Sequence, residues 1–500
     1  MEEAVDSRLL DEGSESPKDL SARSLKKAVE KKSKLSVVSL FAGIGGFDIA
    51  FESAGAEVLL QCESDKYCQA VLRRHWPAAV LASDIRSLDA SSIPDADIWT
   101  AGFPCQDVSL ARGNHGRNGL TGNHTSLFFE LMALVELRSP KIIVLENVVG
   151  LLNSHQGRDF AIILRELTSR GYAVAWRVLN ARYFGAPQSR SRVFLCAWLG
   201  DPRRAALSLF EPAASAKLER ERAGFLAPST HHTGAIVPEV AYCLAATSGR
   251  HTGNDWSRSY VSYKDGVRRP TPTESERLQG FPTNWTVPNS DFRPPARGLD
   301  SERYRAIGNA VAVPVVRWIA DRIKAVERMR TSKSVGNRFP KEVLDVCPEL
   351  RVDGRLVDFA EIHSKIAVGG FSYRWKNGGC AWGDEIVEGN ASPAPANIIP
   401  SKFVDLLDPD TPDTKYFLTA NAAVGIIRRA DVVGRTLFPP MRAALEAMVK
   451  NPTEVVASVT AENAWRDKGA KSSVRPTGAN KRGKIETTRA SARRALRRAD

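Results

Sequence analysis

Ser36-Val37-Val38-Ser39-Leu40-Phe41-Ala42-Gly43-Ile44-Gly45-Gly46-Phe47 is the stretch that decides the fold. Its first six residues make an apolar run suited to a buried strand, and the residues from Phe47 to Ser53 read as helix. The glycines between them permit a tight turn and a close backbone approach to a ligand at the helix N-terminus. Such a turn alone serves dinucleotides, nucleosides and structural bends alike. A second strand, Val58-Leu59-Leu60-Gln61-Cys62-Glu63, ends in an acid about twenty residues on, where a carboxylate can accept both ribose hydroxyls. No Lys-Ser/Thr pair closes the glycine turn, so a nucleoside with little phosphate suits it better than a triphosphate.

Strand and helix keep alternating downstream. A helix is expected over Lys66 to His75, strands over Val80 to Ala82 and Asp97 to Ala101, a helix over Ser126 to Leu137 and a strand over Lys141 to Leu145. A helix over Asp159 to Ser169 and strands over Tyr172 to Leu179 and Val193 to Trp198 are expected to complete the sheet. In open α/β sheets ligands bind beyond the carboxyl ends of the strands, so Gly43, Glu63, Asp84, Cys105 and Glu146 are expected on one rim. Singly, such acids serve more often as helix caps or surface charges.

Cys105 follows Gly102-Phe103-Pro104 just past a strand end, a position where a stiffened backbone can aim a thiol into a cleft. A lone cysteine is more often a small core hydrophobe, and its surroundings must decide. The polar segment from Leu110 to Asn123 reads as a lid. His115 and His124 have no partners at metal-ligand spacing, so no metal is expected. Arg190 and Arg192 are expected on one strand face, suited to an anionic or carbonyl-bearing substrate.

The whole chain sets bounds on these readings. Five hundred residues are too many for a single core. Seven cysteines form no disulfide framework, and no long apolar run suggests secretion or a membrane span, so a reduced cytoplasmic protein is expected. A net charge of +13 favours polyanionic partners.

The ordered set Phe41-Ala-Gly43-Ile-Gly45-Gly46, Glu63, Asp84, Gly102-Phe-Pro104-Cys105-Gln106, Glu146-Asn147-Val148, Gln188-x-Arg190-x-Arg192, Arg277-Leu-Gln279-Gly280-Phe281-Pro282 and Gly308-Asn309-Ala310-Val311 resembles the DNA (cytosine-5) methyltransferases over roughly residues 36 to 325. The resemblance implies an α/β fold, a Rossmann-like methyltransferase sheet with a smaller inserted target recognition domain. It implies S-adenosylmethionine as cofactor, held by Phe41, Gly43, Gly45, Gly46, Glu63, Asp84, Ile85, Pro104, Asn309 and Val311. Cys105 would attack C6 of a flipped-out cytosine, Glu146 would hold N3, and Arg192 with Arg190 would bind the ring carbonyl. Gln106, Ser109, Asn147, Gln188 and Arg250 would meet the substrate or DNA. Ser64 and His124 depart from the family pattern, where a large apolar residue and an arginine are usual.

The same resemblance sets the domain expectations. They are a tail over 1–34, a catalytic domain over 35–199, a target recognition region over 200–300, a return helix over 301–330, a C-terminal module over 331–460 and a basic tail over 461–500. Within the recognition region, the variable segment from about Gly200 to Gly266 is expected to choose the sequence. The module resembles a unit of phage-encoded modification proteins. The expected partner is duplex DNA, met by a monomer without a membrane, with a cognate restriction endonuclease as a further candidate. Two rivals share this core: an RNA cytosine-5 methyltransferase and a DNA-binding protein that has lost catalysis.

Overall fold

The computed structural model describes residues 34–104, 127–212, 227–249, 255–296, 298–329 and 372–450, with residues 218, 343–344, 347, 350, 355–358, 362 and 364. Cys105, Gln106, Ser109, Arg250, the segment read as a lid and both expected tails, except Lys34, lie outside the described residues.

The elements run β1 (Ser36–Leu40), α1 (Gly46–Ser53), β2 (Glu57–Cys62), α2 (Lys66–His75), β3 (Val80–Ala82), β4 (Ile98–Ala101), α3 (Leu127–Arg138), β5 (Ile142–Val148), α4 (Arg158–Thr168) and β6 (Tyr172–Asn180). Next come β7 (Gln188–Ser189), β8 (Ser191–Leu199), α5 (Pro202–Leu209), β9 (Pro228–Thr230), β10 (Ile236–Pro238), β11 (Ala241–Tyr242), β12 (Val261–Ser262) and β13 (Val267–Arg268). The chain continues through α6 (Pro272–Gln279), α7 (Asp300–Asn309), α8 (Val313–Glu327), β14 (Arg355–Asp358), β15 (Gly378–Trp382), β16 (Glu385–Gly389), α9 (Ala420–Val432) and α10 (Pro439–Lys450).

Local chemistry explains several boundaries. The turn after β1 holds Gly43 and Gly45 at φ of 58° and 81°, and a side chain on Gly45 would strike the Trp76 ring. The Asp65 side chain caps α2 by accepting from Cys68 N at 3.0 Å, and Arg73, Arg74 and His75 fill its last turn, where the helix dipole favours cations. Thr271 and Glu274 form a capping box at the start of α6, Pro272 opens the helix and Gly280 closes it at φ 83°.

The central sheet has the order β14-β16-β15-β6-β8-β5-β4-β1-β2-β3. Strands β1 to β5 are mutually parallel, whereas β8 runs antiparallel to both β5 and β6. Alternate residues face opposite layers: Ile142 and Val144 join one apolar cluster, Ile143 and Leu145 the other. Burial on both faces is why these strands read as continuous apolar runs. The stripe Val316, Ile319, Ala320 and Ile323 of α8 buries beside α1 in the first cluster.

The expectation that Val193 to Trp198 completes the sheet is corrected. β15 pairs antiparallel with β6, and β16 and β14 extend the sheet beyond it. Gly379 lies opposite Trp176, whose indole leaves no room for a side chain there. Buried Arg177 donates to the carbonyls of Ser392, Leu209 and Ala394 at 2.9, 2.8 and 2.7 Å, tying the extension to the core. A second sheet, β13-β12-β10-β9, lies within the expected recognition region, and β11 pairs with β7.

Candidate active site

Because β1 to β5 are parallel, their carboxyl ends share one edge, which brings Gly43, Glu63, Asp84, Pro104 and Glu146 to a common rim. The chain runs from β1 outward through β2 and β3, then crosses to β4 on the other side of β1. That reversal opens a crevice between the ends of β1 and β4, the place where such sheets bind ligands.

On the β2 side, the Glu63 carboxylate accepts from the backbone N–H groups of Gly43 at 2.7 Å and Asp65 at 2.8 Å. Burial pushes its pKa up against those hydrogen bonds. Its two oxygens offer about four acceptor positions, so capacity remains for a diol. Asp84 is forked by Arg86, whose Nε and Nη2 reach it at 3.0 and 2.6 Å, and those hydrogen bonds lower its pKa. An exposed pair of this kind is worth little and can be shared or exchanged. Ile85 is buried, Phe41 is half-buried and Pro104 is exposed. Val311 packs on the glycine turn so closely that a Cβ on Gly46 would come within 2.7 Å of it, while Asn309 is exposed.

On the β5 side, Glu146 Oε1 meets Arg192 Nε at 3.1 Å, and only 11% of the Glu146 side chain is exposed. The contact follows from register: Arg192 pairs with Val148, two residues from Glu146 on the same face of β5. Burial raises the Glu146 pKa, opposed by the charges of Arg192 and Arg190. A buried acid that retains its proton can donate to a ring nitrogen, and the guanidinium beside it can donate to a carbonyl. Gly102 lies against the acid, since a Cβ there would stand 3.8 Å from Glu146 Oε2.

Three expected site residues are engaged in contacts within the chain. Arg190 falls between β7 and β8, so it does not alternate with Arg192 along one strand. It is buried, and it donates to the carbonyls of Leu244 at 2.9 Å and Ala310 at 2.7 Å, joining the recognition region to the segment before α8. Gln188 is fully buried and donates to Leu278 O at 2.7 Å while accepting from Leu244 N at 3.2 Å. Asn147 is buried as well; its Nδ2 donates to Phe103 O at 2.9 Å and its Oδ1 accepts from Val148 N at 2.9 Å. It anchors the backbone at Phe103, two residues before Cys105.

Some contributors carry no local sequence signal. Trp285 Nε1 donates to Ile44 O at 2.8 Å, bracing the glycine turn from 241 residues away. Below that turn, buried Asp48 accepts from Ser39 Oγ at 3.1 Å and Gln61 Nε2 at 2.9 Å, and burial drives its pKa up to about 6. Cys243 Sγ accepts from Arg190 Nη1 at 3.4 Å and lies 3.9 Å from Arg192 Nη2.

Comparison with known proteins places this geometry. The model of the C-5 cytosine-specific DNA methylase family matches residues 35–237 and 213–325. Type II methyltransferase M.NlaX of Neisseria lactamica is 32% identical over 316 residues, covering 58% of this chain and 96% of its own. Type II methyltransferase M2.BsuMI of Bacillus subtilis is 30% identical over 312 residues, with coverages of 58% and 75%. Among solved structures, the Dnmt2 methyltransferase of S. pombe superposes with a TM-score of 0.44 at 20% identity, covering 59% of this chain and 100% of that one.

Proposed function

The chain belongs to the C-5 cytosine-specific DNA methylase family and is a DNA cytosine-5 methyltransferase, and from that premise we propose that it methylates a cytosine flipped out of a specific duplex sequence through a covalent adduct of Cys105. The observation that carries the reading is the pair of buried Glu146 and half-buried Arg192 on the rim beside Gly102-Phe103-Pro104.

Cytosine C5 is a poor nucleophile while the ring keeps its conjugation. Addition of the Cys105 thiolate to C6 breaks that conjugation and moves electron density to C5. Glu146 gives its proton to N3 as negative charge builds in the ring, and the burial that raises its pKa favours the protonated form needed for this. Arg192 donates to the ring carbonyl and holds Glu146 in place. Asn147, through its bond to Phe103 O, fixes the backbone two residues before Cys105. Once C5 has taken up the methyl group, loss of the C5 proton to a base, return of the N3 proton to Glu146 and expulsion of the thiolate from C6 restore the aromatic ring and the enzyme. A base inside a duplex is inaccessible to this chemistry, which is why flipping belongs to the proposal.

S-adenosylmethionine, when bound, supplies an electrophilic sulfonium methyl. The rim fits its nucleoside: Glu63 keeps acceptor capacity for the ribose hydroxyls and Val311 closes the glycine turn from behind, while Asp84 and Ile85 would face the adenine. The protective role against a cognate endonuclease is part of the same proposal.

The test is methyl transfer from labelled S-adenosylmethionine to duplex DNA and to transfer RNA in competition. Label in the duplex at C5 of cytosine is expected; label in the RNA alone would overturn the reading.

A further inference from the structure

Residues 413–450 lie beyond the matched family span, yet they are built into the sheet expected to read DNA. Leu418 N donates to Val267 O at 2.8 Å, Arg269 N to Tyr416 O at 3.1 Å, and Arg268 bridges to Phe417. Ile426, Ala430, Met441, Leu445 and Met448 of α9 and α10 share one apolar cluster with Tyr260 and Val267. At the centre is Asp255, whose side chain is fully buried. Arg429 of α9 reaches its Oδ2 through Nη2 at 2.7 Å and Nε at 3.2 Å, and Tyr260 donates its hydroxyl to Oδ1 at 2.9 Å. The nearby backbone is fastened too: Arg258 holds the Thr247 carbonyl and hydroxyl, and Arg269 donates to the Gly249 carbonyl. A carboxylate buried to this degree is costly without a cation, so Arg429 of α9 helps to hold residues 255–260 in this placement.

We propose that α9 and α10 are part of the target recognition lobe, and that Arg429 is a positioning residue for sequence choice, acting through Asp255 on the placement of residues 247–249 and 255–260. This rests on the reading of the chain as a sequence-specific DNA methyltransferase whose variable segment selects the site.

The test uses the full chain and its Arg429→Ala, Arg429→Lys and Tyr260→Phe variants. Each methylates a pool of duplexes randomised around one cytosine, read by bisulfite sequencing, with KM and kcat then measured on the preferred duplex. For Arg429→Ala, discrimination at one or more flanking positions falls by about ten-fold, the order of one lost base preference. KM for DNA rises while kcat and cofactor affinity stay within about two-fold, and Arg429→Lys recovers part of the discrimination. Should Arg429→Ala not fold, Tyr260→Phe, which removes one hydroxyl from the same carboxylate, carries the test with a smaller shift in the same direction. Cytosine methylation with an unaltered sequence pattern in every folded variant overturns the inference alone. Absence of cytosine methylation by the unmodified chain removes the functional reading, and the inference with it.

Discussion

Glu146 and Arg192 meet because β8 begins beside the carboxyl end of β5 and runs antiparallel to it, which sets an acid and a guanidinium side by side in a buried place. Replacing Glu146 by Gln keeps the shape and removes the proton that the reaction needs. Single-turnover transfer should fall by about 10²–10⁴-fold, the usual share of a positioned acid, with cofactor affinity within about two-fold; undiminished transfer would exclude the assigned role. Asp48 allows a test of folding chemistry under the glycine turn. Its carboxyl is pushed up to about 6 from 3.8, so the folded chain holds that proton more tightly than the unfolded one. Stability from this group is therefore complete below the unfolded pKa and is lost as pH rises toward 6. The loss is on the order of 3 kcal/mol. Denaturant unfolding of Asp48→Asn at about pH 4 and about pH 6.5 should show a pH dependence smaller by that order. An identical pH dependence in both proteins would contradict the account.

The parallel half of the sheet was legible element by element, since β1, β2, β4 and β5 are apolar runs buried on both faces and each leads into a glycine or an acid. Glu63, Asp84 and Glu146 could be assigned to one rim because parallel strands put all carboxyl ends at one edge. The structural contacts of Arg190 and Gln188 could not be read from the sequence. Their partners, Leu244, Ala310 and Leu278, lie 54, 120 and 90 residues away, and no local pattern encodes such contacts. The same holds for β15, a Gly-rich strand with weak strand propensity whose place depends on the Trp176 indole filling the space above Gly379. Gly379→Ala should therefore destabilise the fold by about 1–3 kcal/mol through overpacking, read as a lowered denaturant midpoint. An unchanged midpoint would mean that β15 contributes little to the edge of the sheet.

At the scale of the whole molecule, the central sheet carries the rim, Arg190 and Gln188 fasten that sheet to the Leu244 backbone, and the C-terminal segment adds strands to the central sheet and helices that pack on the second, smaller one. The net charge of +13 implies that DNA affinity depends on phosphate contacts. The KM for duplex DNA should rise steeply with salt, as counterion release requires, while affinity for S-adenosylmethionine changes little; equal salt dependence for both ligands would argue against a phosphate-tracking surface. The central claim, covalent addition of the Cys105 thiolate to C6, is tested most directly with a duplex carrying 5-fluorocytosine at the methylated position, incubated with the cofactor and run on a denaturing gel. Fluorine at C5 cannot leave as a proton does, so the unmodified chain should remain covalently attached to the DNA through Cys105, and Cys105→Ser should give no attached product. Turnover on ordinary DNA with no trapped complex, or an equal trapped complex from Cys105→Ser, would contradict the account.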